Sequence, residues 1–256
     1  MNSQAIRISD VNRLPTATAV EAELRRLADP EQAKNLARFF KTGSGQYGEG
    51  DEFLGIKVPV TRTVAARAAE LSLTETQKLL DSPVHEERLA ALLVLVDQYR
   101  RAAKQGDVAA CEHIYNFYLS NTARINNWDL VDLSANHIVG PWLENRDRSP
   151  LLALAKSDVI WERRIAMLAC FHYIGQGDPK TAFEVIEILE HDPHDLIQKA
   201  AGWMLREIGK RCGREVLVEW LASDNGRYRR LPRTTLRYAI EHFAADERQR
   251  YLRGAI

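Results

Sequence analysis

The amino-acid sequence predicts an all-α fold in which paired helices stack into a solenoid with a concave groove. Apolar residues recur at the three- and four-residue spacing of helices, and no stretch sustains the two-residue alternation of strands. Shorter helices alternate with longer apolar helices at a period of about 35 to 40 residues. Paired helices with that period and without strands are typical of helical repeat proteins.

The helices can be placed in chain order, about a dozen in all. Prolines that suit the first turn of a helix mark several starts: Pro30, Pro59, Pro83, Pro150 and Pro232. The five shorter helices are expected at residues 74–80, 108–119, 150–156, 179–189 and 215–222. The longer helix that follows each is expected at residues 84–99, 127–138, 159–174, 196–210 and 233–243. We expect residues 1–256 to form a single repeat domain.

Composition excludes several classes of protein. The chain has 256 residues, of which 45% are hydrophobic and 27% charged, as in soluble globular domains. No apolar run reaches the roughly 18 residues that span a bilayer, and no signal peptide opens the sequence, so we expect no membrane contact and a cytoplasmic location. The cysteines are three and far apart, which argues against a disulfide framework or a zinc site.

The net charge of zero hides an asymmetry along the chain. Residues 1–194 carry 22 Lys and Arg against 27 Asp and Glu, whereas residues 195–256 carry 13 against 8. The C-terminal quarter is therefore basic, and most of its basic residues are arginines, which suit forked contacts to phosphate. Charge alone is also compatible with an ordinary solvated surface.

Trp203 stands on the charged side of an otherwise amphipathic helix. On a helical projection it falls with Lys199, Arg206 and Lys210. The opposite, apolar side is formed by Ile197, Ala201, Met204, Leu205 and Ile208. An indole among cations is placed to contact something anionic, although a single tryptophan on a helix is more often part of the core.

Three further residues break the pattern of their helices. Trp128 and Asp132 are four residues apart on a face turned away from the apolar stripe of residues 127–138. Arg164 does the reverse, because it interrupts the apolar face of residues 159–174 and therefore needs a partner. A side chain that reaches solvent or an internal salt bridge is the structural alternative for Arg164.

Other motifs give weak signals. The glycines in residues 41–59 match a dinucleotide fingerprint, but they follow a helix rather than a strand, so we interpret the segment as a loop beside the groove, and a lid is the alternative. His191, His194, Cys170 and His172 lack the companions of a metal site. No Ser/His/Asp or Cys/His nucleophile system is recognisable. Chemistry here would depend on carboxylate, arginine and aromatic side chains.

Three separated motifs follow one another along the chain: Trp128-Asp129-Leu130-Val131-Asp132, Trp161-Glu162-Arg163-Arg164 and Ile197-Gln198-Lys199-Ala200-Ala201-Gly202-Trp203-Met204-Leu205-Arg206-Glu207. Together they resemble, in the right order, the DNA alkylation repair family typified by the AlkD alkylpurine DNA glycosylases. Phe53-Leu54-Gly55-Ile56 resembles the N-terminal motif of the same family, so the resemblance covers roughly residues 35–245. The resemblance implies a right-handed superhelical solenoid of HEAT-like repeats whose concave groove binds DNA. It also implies that Trp128, Asp132, Arg164 and Trp203 meet the damaged nucleotide.

The implied activity is hydrolysis of the N-glycosidic bond of purines alkylated at N3 or N7 in double-stranded DNA, without base flipping. The enzyme would need no cofactor and no metal, and would act as a monomer, associated with the nucleoid when bound to DNA. Basic residues expected to contact DNA are Lys57, Lys199, Arg206, Lys210, Arg233 and Arg237.

Two other functions compete with catalysis. A member of the same family that binds DNA without cleaving a bond predicts salt-sensitive binding and no base release. A scaffold that binds proteins, as many helical repeats do, would use the tryptophans as interface anchors and would have no affinity for DNA at low salt. Base release from a defined methylated oligonucleotide would distinguish the glycosylase activity from these two functions.

Overall fold

The computed structural model describes residues 13–256, and these contain fifteen α-helices. They are α1 (Ala17–Arg26), α2 (Pro30–Phe39), α3 (Val58–Arg67), α4 (Leu73–Leu80), α5 (His85–Gln105), α6 (Val108–Ser120), α7 (Trp128–Asp132), α8 (Ala135–Trp142), α9 (Ser149–Ala155), α10 (Ile160–Gly175), α11 (Lys180–Ile188), α12 (Asp195–Arg211), α13 (Arg214–Gly226), α14 (Arg233–Ala239) and α15 (Ala245–Arg253). The described residues include no strand, only an isolated bridge between Glu52 and Val84. The predicted all-α fold is confirmed.

The described chain divides into two compact units, one ending at Ser134 and the other beginning at Ala135. The expectation of one repeat domain over residues 1–256 stays a prediction, and its first twelve residues lie outside the described part. The predicted alternation of shorter and longer helices holds where α4 precedes α5, α9 precedes α10 and α11 precedes α12. It is wrong for the other two pairs, because α6 is longer than α7 and α13 is longer than α14.

Helix α5 is the centre of the first unit. Eight consecutive residues, from Leu89 to Val96, are buried, so the helix is apolar on all sides and has no solvent face there. Helices α3, α4 and α6 pack around it. The first turn of α5 is also buried, although its sequence is His85, Glu86, Glu87 and Arg88. Four ionisable side chains in a core require partners, and these partners shape the candidate site.

Helix α10 has the same central role in the second unit, where α8, α9, α11 and α12 pack against it. Two glycines allow close helix contacts. A Cβ on Gly140 of α8 would lie 2.6 Å from the carbonyl oxygen of Ala169, and one on Gly202 of α12 would lie 2.5 Å from that of Thr235. Both distances are far inside van der Waals contact, so each helix approaches its neighbour along a glycine.

The single helix predicted at residues 127–138 is wrong, because the chain forms two helices, α7 and α8. The break lies at Ser134, whose hydroxyl donates to the carbonyl oxygen of Leu130 at 2.5 Å. The backbone N–H of Ser134 bonds to Val131, three residues back, instead of continuing the α-helical pattern. A hydroxyl of this kind competes with the backbone for its acceptors, and Tyr118 holds it in place at 2.9 Å.

Candidate active site

Helix α7 presents Trp128 and Asp132 one turn apart. Asn127 precedes the helix in an extended conformation, and its side-chain oxygen accepts a hydrogen bond from the N–H of Trp128 at 2.9 Å. Leu130 and Val131 are fully buried, whereas Trp128 and Asp132 are half-buried. This short helix therefore has one buried face and one partly exposed face, and Trp128 and Asp132 share the exposed one, as their four-residue spacing predicts.

Trp128 and Asp132 line the same pocket of the first unit, with a volume of about 440 Å³. Its walls are mostly aromatic and apolar. The indole of Trp128 stacks on Phe40, with ring centroids 5.1 Å apart and planes 14° from parallel. Phe39 meets the same indole edge-on at 5.9 Å and is 63% exposed. A flat ligand could therefore contact two rings beside a carboxylate.

A buried network of charges lies beneath these rings. His85 bridges two carboxylates: Nδ1 lies 3.2 Å from Asp51 and Nε2 lies 2.9 Å from Asp129. Arg88 donates to Asp51 at 2.6 Å, and Asn127 donates to the same carboxylate at 3.0 Å. Asn127 and Asp129 flank Trp128 in the chain, so the network fixes the start of α7 from both sides.

The electrostatics of the network favour its charged forms. Burial opposes protonation of His85, but the charge of Asp129 and the hydrogen bonds to Asp129 and Asp51 outweigh it and raise the pKa of His85 to about 9. Burial also opposes ionisation of Asp51, yet the hydrogen bond from His85 and the charge of Arg88 hold the pKa of Asp51 below its usual range. His85 is therefore an imidazolium at neutral pH.

Glu86 holds another segment that lines the pocket, residues 56–59, through the residues that lead into it. Its carboxylate accepts hydrogen bonds from three successive backbone N–H groups, at 3.0 Å from Leu54, 2.8 Å from Gly55 and 3.1 Å from Ile56. Gly55 has a φ of +85°, and a Cβ there would lie 2.1 Å from the carbonyl oxygen of Asp29. The motif of residues 53–56 is therefore an irregular segment that depends on a left-handed glycine and is clamped by a buried carboxylate.

Lys57 follows this segment directly and is exposed at the pocket. It is the residue before α3, with φ −72° and ψ 146°. No ion pair of Lys57 is found among residues 13–256. It is also the only lysine or arginine among the described residues that line the pocket.

Arg164 and Trp203 belong to the second unit. Arg164 is 5% exposed on α10, and its guanidinium donates to the carbonyl oxygen of Leu196 at 2.6 Å. Trp203 is half-buried on α12, with its ring 5.8 Å from that of Phe171. Trp203 thus retains partial exposure, whereas Arg164 faces inward, as the apolar spacing of its neighbours indicates.

The basic residues expected to contact DNA differ in their surroundings. Lys199 pairs with Asp195 at 2.6 Å. Arg206 pairs with Glu241, and Arg233 donates to the carbonyl oxygen of Leu252. Lys210 and Arg237 are exposed, and the described residues provide no ion pair for either.

Several site residues were missed in the sequence: Phe39, Phe40, Asp51, His85 and Glu86. A signal was present for the last two, because a run of four ionisable residues, 85–88, opens a helix whose next eight residues are all apolar. Asp51 gave none, since Asn127, which bonds to it, is 76 positions away. Among the described residues, no three His, Cys, Asp or Glu side chains group as a metal site, and none of the helices has the length and apolar character needed to cross a membrane.

Comparisons with known proteins agree with the resemblance noted in the sequence. A family model described as DNA alkylation repair enzyme matches residues 20–243. One similar solved structure is that of a protein described as a predicted DNA alkylation repair enzyme from Enterococcus faecalis. It is 19% identical, the match covers 85% of this chain and 97% of that chain, and the TM-score is 0.56. At that identity the structural likeness shows the fold alone, and no curated protein matches the sequence. Because the family model spans most of its length, the chain belongs to the DNA alkylation repair enzyme family.

Proposed function

We propose that the protein is a DNA glycosylase that hydrolyses the N-glycosidic bond of purines alkylated at N3 or N7 in double-stranded DNA. Membership of a DNA alkylation repair family supports DNA as the partner and repair as the role. The observation that carries the finer proposal is the pocket of the first unit, where the carboxylate of Asp132 shares an aromatic-walled space with the indole of Trp128.

The chemistry suits a carboxylate without a general acid. Alkylation at N3 or N7 gives the purine a positive charge, so the base leaves as a neutral molecule when its bond to C1′ breaks. Positive charge then develops on the sugar, which becomes oxocarbenium-like. An ionised Asp132 would stabilise that cation and orient the water that attacks C1′.

The aromatic walls add to this stabilisation. A cation over the face of an indole gains about 0.5–2 kcal/mol, more when the site excludes water. Phe40 supports the indole of Trp128 from below, so the ring keeps its orientation when a nucleotide arrives. In the proposal, Trp203 offers a second indole face, Arg164 binds a phosphate near the lesion and the base is not flipped out of the duplex.

One observation favours a second candidate function, recognition of DNA without cleavage. Arg164 is buried and donates to a backbone carbonyl oxygen, so it would have to exchange this partner before it could bind a phosphate. In this alternative the protein binds DNA but does not hydrolyse the N-glycosidic bond.

The test is base release from a duplex that carries a single 7-methylguanine or 3-methyladenine. The wild-type protein should release the base in the presence of a chelator, and Asp132→Asn should reduce the rate by about 10²-fold or more, because the variant keeps the shape and loses the charge. Asp97→Asn is the matched control, since Asp97 is exposed on α5 and lies outside the pocket. Binding without any base release would support the second function.

A further inference from the structure

We propose that Lys57 gives the protein a second activity, in which its amine forms a covalent imine with an abasic deoxyribose and cleaves the DNA strand. The inference rests on the proposed function for the source of the abasic site, because loss of a base leaves that sugar in the pocket. It concerns a different residue and a different bond, and it can be tested on DNA from which the base has already been removed.

The first supporting observation is the position of the amine. Lys57 lines the same pocket as Trp128 and Asp132, and the pocket volume of about 440 Å³ is in the range of small-molecule sites. Among the described residues that line the pocket, no other side chain carries a primary amine. Asp132 is the carboxylate proposed to face C1′, so a sugar held there lies in the pocket that Lys57 borders.

The second observation is the contrast between a fixed backbone and an uncommitted side chain. Glu86 clamps the three N–H groups of residues 54–56 immediately before Lys57. The carbonyl oxygen of Lys57 accepts hydrogen bonds from Val60 at 2.9 Å and Thr61 at 3.2 Å. The side chain itself is exposed and has no ion pair among residues 13–256. Its root is therefore held at the pocket edge while its amine can move.

The reaction needs no further reagent. An abasic deoxyribose opens to an aldehyde at C1′, and the lone pair of the Lys57 nitrogen attacks that carbon. Loss of the resulting hydroxyl as water leaves a protonated imine. The imine makes the C2′ proton acidic, and a base removes it, for which the carboxylate of Asp132 lies in the same pocket. The electron pair forms the C2′–C3′ double bond, and the C3′–O bond breaks with the phosphate as leaving group. Water then hydrolyses the imine and restores the amine.

The experiment uses an oligonucleotide duplex with one abasic site, made beforehand by excision of uracil. The full-length protein is incubated with it in the presence of sodium borohydride, which reduces an imine to a stable covalent adduct. We expect a protein–DNA adduct on a denaturing gel, and peptide mass mapping should locate it at Lys57. Without borohydride, the same duplex should be cut at the abasic site.

Two variants separate this chemistry from simple charge. Lys57→Arg keeps a cation for DNA but has no amine that can form this imine, and Lys57→Gln removes both. Each should lower the adduct yield by about tenfold or more. Lys34→Gln is the control, because Lys34 is an exposed lysine on α2 outside the pocket. The unfolding midpoint of every variant should match the wild type, since both lysines are exposed.

The outcomes distinguish the proposed role of Lys57 from the proposed glycosylase activity. No adduct above that of a non-binding protein, or an adduct that survives Lys57→Arg at full yield, overturns the role of Lys57. Base release from methylated DNA with no trapping on the abasic duplex leaves the glycosylase proposal intact and removes this one. Trapping at Lys57 without base release supports the imine chemistry and removes the glycosylase proposal.

Discussion

The Nε2 atom of His85 lies 2.9 Å from a carboxylate oxygen of Asp129, the residue that follows Trp128 in the chain. The other ring nitrogen faces Asp51 at 3.2 Å, so both nitrogens act as donors to carboxylates. The ring of Phe53 stacks on the imidazolium at 4.6 Å, and Phe40 lies between this pair and Trp128. One buried cation therefore supports both the backbone and the ring of the proposed site residue.

Replacing His85 by Gln should destabilise the protein more at neutral pH than at pH 10. The pKa of His85 is raised to about 9 in the folded state, above its unfolded value. Its contribution to the free energy of unfolding is therefore complete below about pH 6.5 and is lost as pH rises through about 9. At pH 7 we expect His85→Gln to cost about 3–5 kcal/mol, since it leaves buried Asp129 without its cation and Asp51 with Arg88 alone. Urea unfolding at pH 7 and pH 10 measures the loss.

The gap between wild type and His85→Gln should narrow towards pH 10, because the wild-type protein then loses its imidazolium. His113→Gln is the control, as His113 is exposed on α6. An equal gap at both pH values would show that His85 contributes packing alone. A wild-type stability that rises between pH 7 and pH 10 in parallel with the variant would contradict the sign of the pKa shift.

Glu86→Ala should loosen the pocket wall. The substitution leaves the N–H groups of Leu54, Gly55 and Ile56 without their shared acceptor, and each unsatisfied buried donor costs about 1–3 kcal/mol. Water that enters the site partly satisfies these donors and lowers their summed cost, so we expect the free energy of unfolding in urea to fall by about 2–4 kcal/mol. Hydrogen exchange should accelerate at residues 54–56 in particular. Glu52→Ala, an exposed glutamate in the same segment, should change neither.

The sequence was most informative where the burial of a residue depends on the helix face that it occupies. The four-residue spacing of Trp128 and Asp132 placed both on one side of α7, and they line one pocket. Ile197, Met204 and Leu205 are buried on α12 while Trp203 is half-buried. These predictions depend only on helical geometry within a short segment, which a sequence displays directly.

The sequence was least informative where distant segments meet. The end of α7 depends on the hydroxyl of Ser134, which Tyr118 holds from another helix. Residues 41–59 were interpreted as a loop beside the groove, but the carboxylate of Asp51 in this segment is buried against His85 and Arg88. Neither contact has a local signal, because both partners come from other elements of the fold.

Gly202→Ala should disturb the contact between α12 and α14 beside Trp203. The new methyl group would lie 2.5 Å from the carbonyl oxygen of Thr235 and from the Cβ of Tyr238, so the helices must move apart. We expect a loss of about 1–3 kcal/mol, as for other overpacked cores. Gly175→Ala is the control, because nothing lies within 4 Å of a Cβ there and alanine favours the helix. Thermal unfolding of both variants gives the comparison.

If Gly202→Ala were as stable as the wild type, the helices would be able to separate without cost, and the spacing between α12 and α14 would not depend on glycine. Tryptophan fluorescence is a second readout, since Trp203 follows Gly202 directly and its ring lies 5.8 Å from that of Phe171. The chain has five tryptophans, so the signal of Trp203 is the difference between each protein and its Trp203→Phe variant. A shift of that difference spectrum in Gly202→Ala but not in Gly175→Ala would show that the disturbance reaches the indole.

Arg237 and Arg206 should differ in their effect on DNA affinity, although both are basic residues expected to contact phosphate. Arg206 already pairs with Glu241 and lies 3.8 Å from Glu207, whereas Arg237 is exposed and has no ion pair among the described residues. A basic side chain without a carboxylate partner can bind a phosphate without breaking an ion pair. Its contact with DNA therefore contributes in full to the release of counterions from the DNA. Arg237→Gln should therefore lower the slope of log K against log salt by about one, at all DNA sequences alike, and Arg206→Gln by much less.

Fluorescence anisotropy with an undamaged duplex at several salt concentrations measures both slopes. Equal slopes for wild type and Arg237→Gln would remove Arg237 from the DNA interface, and a larger change with Arg206→Gln would mean that DNA displaces Glu241 from its arginine.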